Sequence, residues 1–137
     1  MTLEIQERER EGVTIVDLKG RLTVGEGVSQ LREHLNRMAA DGRQRIVLNL
    51  EHVDYIDSTG LGTLVICFTS NKKAGGLLKL LNLNKRNIEL LVLTKLTTVF
   101  ELFTDEQDAV NSFFPDREIK RFDILSFVQQ QRRAEES

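Results

Sequence analysis

Apolar and polar positions along this chain alternate between two periods, and the switches between them set out an order of elements. Leu3 and Ile5 flank Glu4 and charge follows, which predicts an edge strand over 3–9 with one wet face. Residues 9–12 read as a turn ending on Gly12. Val13, Ile15, Val16 and Leu18 make a second, more apolar strand, and the two strands predict a hairpin. Gly20-Arg21-Leu22-Thr23 closes that strand, and Gly25 and Gly27 loosen the loop after it. Val28, Leu31, Leu35 and Met38 then recur at three- and four-residue steps. That is the buried stripe of a helix running to about Ala40, with Asp41-Gly42 as its stop. Arg32, Glu33, Asn36 and Arg37 take its wet side, and His34 reads as solvated there.

Residues 44–50 are nearly continuous in apolar side chains, as expected of a central strand covered on both faces. A junction over 51–60 leads to a helix over 58–74, with Leu61, Leu64, Val65 and Phe68 as its inner stripe and Gly75-Gly76 as its end. A further strand over 77–82 completes a strand–helix–strand unit, which predicts parallel strands and a right-handed crossover. A short helix over 88–92, an edge strand over 97–103, and a helix opened by a Thr104-x-x-Gln107 capping box follow. Ala109, Val110 and Phe113 face inward on that helix, and Pro115 breaks it.

Composition narrows the function classes. A chain of 137 residues predicts one domain with a full core. A formal net charge of −2 gives no electrostatic case for a nucleic-acid or membrane partner. Cys67 is the only cysteine and sits in an apolar run, so it predicts a buried thiol rather than a disulfide. The charged N-terminus and the lack of any membrane-length apolar run predict a cytoplasmic location. There is no phosphate-binding G-x-x-x-x-G-K-[ST] loop and no G-x-S-x-G elbow. His34 and His52 are not at metal-ligand spacing, and His52 reads as a loop residue. No catalytic residue, metal or cofactor is predicted. A small hydrolase using Ser58 is the weakest of the functional readings.

The chemistry concentrates at the strand-to-helix junction Asp57-Ser58-Thr59-Gly60-Leu61-Gly62. Asp57 as N-cap makes Ser58 the first helical residue, where unpaired N–H groups meet solvent. Ile56 and Leu61 have the spacing of a hydrophobic staple. Glycine inside a helix costs about 1 kcal/mol against alanine, so Gly60 and Gly62 imply close approach by a neighbouring element or a partner. A plain helix cap remains the other reading of these residues.

The run 46–50 followed by Val53-Asp-Tyr-Ile-Asp57-Ser58-Thr59-Gly60-Leu61-Gly62 closely resembles the STAS family, and within it the bacterial anti-sigma factor antagonists. The resemblance covers about residues 3–112 and includes the G-x-L turn at Gly20 to Leu22. It implies an α/β fold: one STAS-like domain, with a mixed sheet of four to five strands packed against helices. It implies Ser58 as the residue phosphorylated by a partner, with Thr59 as the secondary candidate. The partner would be an anti-sigma factor that is also a serine kinase of histidine-kinase-like ATPase fold, and a phosphatase would reset the system. The partner-binding residues carried over are Asp57, Ser58, Thr59, Gly60, Leu61 and Thr23, the last standing where the family often has Asp. The alternative is a STAS scaffold or accessory subunit of a larger complex, with Ser58 as a cap only.

The family core does not account for residues 115–137, which predict a C-terminal helical extension to a domain over 1–114. Residues 116–121 are mostly charged, and Asp123 can cap a helix with Phe122 and Phe127 stapled across its start. Ile124, Leu125, Phe127 and Val128 form an apolar face, and 129–137 is expected to fray. That face packs back on the chain's own domain or, alternatively, forms a homodimer or partner contact.

Overall fold

The computed structural model describes residues 3–119 and 122–136. Strands β1 (Glu4–Arg10) and β2 (Val13–Leu22) form the expected antiparallel hairpin, turned at Glu11 and Gly12 with positive φ. Helix α1 (Glu26–Ala40) follows, then β3 (Arg45–Ile56), α2 (Ser58–Lys73) and β4 (Leu77–Leu81). Helix α3 (Lys85–Leu93), the two-residue β5 (Leu102–Phe103), α4 (Glu106–Asn111) and α5 (Ile124–Glu136) complete the chain. The five strands lie in the order β1-β2-β3-β4-β5, and every pair after the first is parallel.

Alternation along the central strands builds two apolar layers. Val16 and Leu18 of β2, Ile46, Leu48 and Leu50 of β3, and Leu78 and Leu80 of β4 join Leu31, Leu35, Leu64 and Leu91 from α1, α2 and α3. Val13, Ile15, Val47, Leu81 and Phe103 meet Ala109 and Val110 of α4 on the other face. This double cover explains the unbroken apolar run of β3. Beyond the reach of α4 the second face turns polar. Asn49 donates from Nδ2 to Asp17 Oδ1 at 2.8 Å and accepts from Asn82 Nδ2 at 3.3 Å, so its burial leaves its amide satisfied.

Four expectations change within the family core. β3 runs to Ile56, six residues past 50, so most of the predicted junction and His52 are strand. Its second half pairs with β2 through two register shifts, and only Val53 and Ile56 are buried after Leu50, a spacing of three that hides the strand period. The strand expected over 97–103 shrinks to Leu102–Phe103, because Leu96–Thr98 is a 3-10 turn and only Leu80 and Leu81 of β4 find partners. Asp105, not Thr104, caps α4 by accepting from Asp108 N at 3.0 Å, and Gln107 reaches Glu11 and Asn111 instead of closing a box. His34 is not simply solvated: its Nε2 lies 2.6 Å from Glu7 Oε1 on β1.

The tail returns to its own domain. Phe122 N donates to Leu102 O at 3.3 Å, and Phe122 and Ile124 pack on the larger core. Asp123 Oδ1 accepts from Ser126 N at 3.0 Å, and the Phe122 and Phe127 rings lie 5.9 Å apart, as the cap and staple predict. Leu125 is 67 % exposed, so it leaves the predicted apolar face. The helix continues to Glu136 through good helix formers rather than fraying after Val128. Lys120, Arg121 and Ser137 lie outside the described residues. A chain ending at Phe114 is expected to melt about 5 °C or more below the full chain, from the lost burial of two large side chains. An unchanged melting temperature with a smaller mass in solution would make the tail a dimer contact instead.

Candidate functional site

The junction is assembled by one carboxylate. Asp57 leaves β3 in extended backbone, with φ −93° and ψ −177°, as the N-cap of α2. Its N–H donates to Leu22 O at 3.1 Å, continuing the ladder by one rung. Its Oδ1 accepts from Gly60 N at 2.7 Å and its Oδ2 from Val24 N at 3.0 Å. One side chain therefore ends β3, starts α2, and holds the loop after β2 against both. The Gly60 and Val24 N–H groups stabilise the ionised form, so the Asp57 carboxyl is held below its ordinary range despite some desolvation.

Thr23, far from Ser58 in sequence, is brought to the junction by this arrangement. Ser58 and Thr59 are exposed, and among the described residues neither hydroxyl is tied into a hydrogen bond. Gly60 is buried against the end of β2: a Cβ there would stand 1.9 Å from Leu22 O. Gly62 is exposed, and a Cβ there would meet nothing within 4 Å. Of the two expected close approaches, only the one at Gly60 is internal. Leu61 is 6 % exposed and lies in the core with Ile56, as the staple requires, so its side chain does not reach the surface. The exposed face of the junction is Ser58 and Thr59, with Thr23 and Asp57 half-buried beside them.

Residues not singled out from the sequence complete the surroundings. Val24, beside Thr23, is 74 % exposed. Helix α3 is stitched to the end of β3: Asn84 caps α3 and donates to Asp54 O at 3.0 Å, and Asn87 donates to Val53 O at 3.2 Å. Arg86 Nη1 donates to Ile56 O at 3.3 Å and to Asn87 Oδ1 at 3.1 Å, and its guanidinium lies 3.5 Å from the Tyr55 ring centroid. The Asn84-x-x-Asn87 spacing after an apolar strand was the available signal, as a cap with a second amide one turn on.

Among the described residues, no group of three His, Cys, Asp or Glu could hold a metal ion. His52 stands in β3 opposite Lys19, and His34 is engaged with Glu7. No helix of the described residues is long and apolar enough to cross a membrane. Cys67 is 5 % exposed, and burial pushes its thiol up to about 11. A thiol reagent at pH 8 is therefore expected to label the native chain at least about 100-fold more slowly than the urea-unfolded chain. Equal rates would contradict the packing of α2.

Comparisons with known proteins cover most of the chain. The STAS domain model matches residues 4–109. The anti-sigma-B factor antagonist of Bacillus subtilis (strain 168) is 34% identical over 110 residues, which span 80% of this chain and 99% of that protein. The anti-sigma-B factor antagonist of Staphylococcus aureus (strain NCTC 8325 / PS 47) is 36% identical over 103 residues, 74% of this chain and 85% of that one. Among solved structures, an anti-sigma factor antagonist from Mycobacterium paratuberculosis shares the fold with a TM-score of 0.71 at 21% identity, covering 80% of this chain and 92% of that chain.

Proposed function

The chain belongs to the STAS domain family, and from that premise we propose that it is an anti-sigma factor antagonist switched by phosphorylation of Ser58. The observation that carries the reading is the exposed Ser58 hydroxyl, unbonded among the described residues, at the first position of α2 in a junction held open by Asp57. The unmodified chain binds an anti-sigma factor, which releases its sigma factor. That partner is also a serine kinase of histidine-kinase-like ATPase fold, and it transfers phosphate from ATP to the Ser58 oxygen. A phosphatase removes the phosphate. Thr59 is the secondary acceptor. Asp57, Ser58, Thr59 and Thr23 supply the contact surface, with Gly60 and Leu61 as its buried floor. The chain itself acts by binding rather than by catalysis, in the cytoplasm. Residues 1–114 carry the function, and 115–137 brace the domain.

The charge balance favours a switch at the interface over a refolding event. Phosphate adds about −1.5 to −2 charges and three acceptor oxygens. The helix N-terminus favours it by about 0.3–1 kcal/mol at an exposed site. The ionised Asp57 opposes it by about 1 kcal/mol in water-like surroundings. These terms nearly cancel in the free chain. A partner surface fitted to a neutral hydroxyl would instead have to bury a dianion, which is costly unless paired.

Mass spectrometry after incubation with the kinase and ATP tests the assignment. One phosphate on the peptide carrying Ser58 is expected, and none in Ser58→Ala. Phosphate found only on other residues would remove Ser58 from the mechanism.

A further inference from the structure

Arg86 is a cation held in place without a counter-ion among the described residues. Its Nη1 is fixed on the Ile56 carbonyl at 3.3 Å and on Asn87 Oδ1 at 3.1 Å, and Tyr55 lies under its guanidinium plane at 3.5 Å. Stacking and forked hydrogen bonding suit arginine in a way that lysine cannot reproduce. Among the described residues it makes no ion pair, and its Nε and Nη2 make no hydrogen bond. The other charges along these segments are Asp54 and Asp57 around the end of β3, Arg21 on β2 opposite Tyr55, and Lys85 and Glu89 on α3.

The carbonyl that anchors Arg86 belongs to the residue two before Ser58. Covalent geometry limits Ile56 O and the Ser58 Cα to a separation of about 7 Å. A phosphate on Ser58 extends further outward, and the Arg86 side chain can follow it by turning about its own torsions. The lysines of α2 are in its last turn, at Lys72 and Lys73, about 20 Å along the helix from Ser58.

We propose that Arg86 is the intramolecular partner of phosphorylated Ser58: its guanidinium leaves the Ile56 carbonyl and forks onto the phosphate, fixing the dianion beside Tyr55. The pair adds an attraction to a balance in which the helix N-terminus and the ionised Asp57 nearly cancel. It also turns the charge into a defined surface, since Arg86 changes its place on it. The inference rests on the reading of Ser58 as phosphoacceptor.

The test uses the full chain with phosphoserine installed at position 58 during synthesis, so it does not depend on any kinase. Phosphorus NMR follows the second ionisation of the phosphoserine, which lies near 6 without a partner. Arg86→Gln is expected to raise that ionisation by about half a unit or more, while Lys85→Gln and Arg21→Gln move it by less than about 0.2. Arg86→Lys should recover only part of the difference. Unchanged melting of the same variants with ordinary serine at position 58 separates the effect from damage to the fold. A phosphoserine that titrates alike in the unsubstituted chain and in Arg86→Gln overturns the inference, as does an equal shift in the Lys85 or Arg21 variant. Failure of the kinase to modify Ser58 would instead overturn the parent reading and leave this titration untouched.

Discussion

Ser58→Asp is expected to weaken binding to the anti-sigma factor by about 10- to 100-fold, about 1.4–2.8 kcal/mol, while Ser58→Ala binds within about twofold of the unsubstituted chain. The contrast follows from the site. Ser58 is exposed, its hydroxyl is free of bonds to the described residues, and the cap is supplied by Asp57. Removing the hydroxyl therefore leaves α2 intact, and melting should shift little. Adding a carboxylate places a second negative charge beside the ionised Asp57, on a surface the partner must dehydrate. Isothermal titration of both variants against the same partner measures the difference. Equal affinities would place Ser58 outside the contact surface.

The two glycines of the junction are expected to respond to alanine with opposite signs. In Gly60→Ala the new methyl would lie 1.9 Å from Leu22 O and 2.7 Å from Leu22 C. These are backbone atoms, and Leu22 O already accepts from Asp57 N. The methyl can be housed only by pushing α2 away from β2, which costs about 3 kcal/mol or more. In Gly62→Ala the methyl enters open space on a helix, and better helix propensity stabilises the chain by up to about 1 kcal/mol. Urea unfolding reads both. Gly62 is four residues after Ser58, so it shares the exposed face of α2 with the hydroxyl. Among the described residues no internal packing explains its lack of a side chain, and on the proposed function the partner approaches closely there. Gly62→Ala is therefore expected to strengthen the fold and weaken partner binding together. A gain in stability with full affinity would leave Gly62 without a binding role.

Much of the fold was legible in residue periodicity, and the exceptions have local causes. The hairpin, α1, α2 and β4 follow from stripes and stops that nothing else in the chain opposes. The far half of β3 was hidden because bulged pairing with β2 buries only Val53 and Ile56 there, at a spacing that matches neither period. β5 was over-read because apolar residues such as Phe100 are buried without being paired. The α4 cap was shifted by one because Thr104 and Asp105 are both good caps, and only packing of Ala109 and Val110 on the sheet decides between them.

At the site, the role of Asp57 as N-cap was readable from local sequence. Its second bond, to Val24 N, was not, because 33 residues separate the two. The same holds for Arg86, which reaches Ile56 from the far end of a strand–helix–strand unit. Side chains that work across such distances leave no periodic trace. Only the resemblance, through Thr23 and the G-x-L turn, brought the β2–α1 loop into the account in advance.

Release of sigma factor tests the central claim most directly. A preformed complex of the anti-sigma factor with its sigma factor is mixed with the unmodified chain or with the chain fully phosphorylated on Ser58, and free sigma factor is quantified by size-exclusion chromatography. The unmodified chain is expected to free the sigma factor in proportion to the amount added, and the phosphorylated chain to leave the complex intact. Equal release by both forms, or release by neither, would contradict the account.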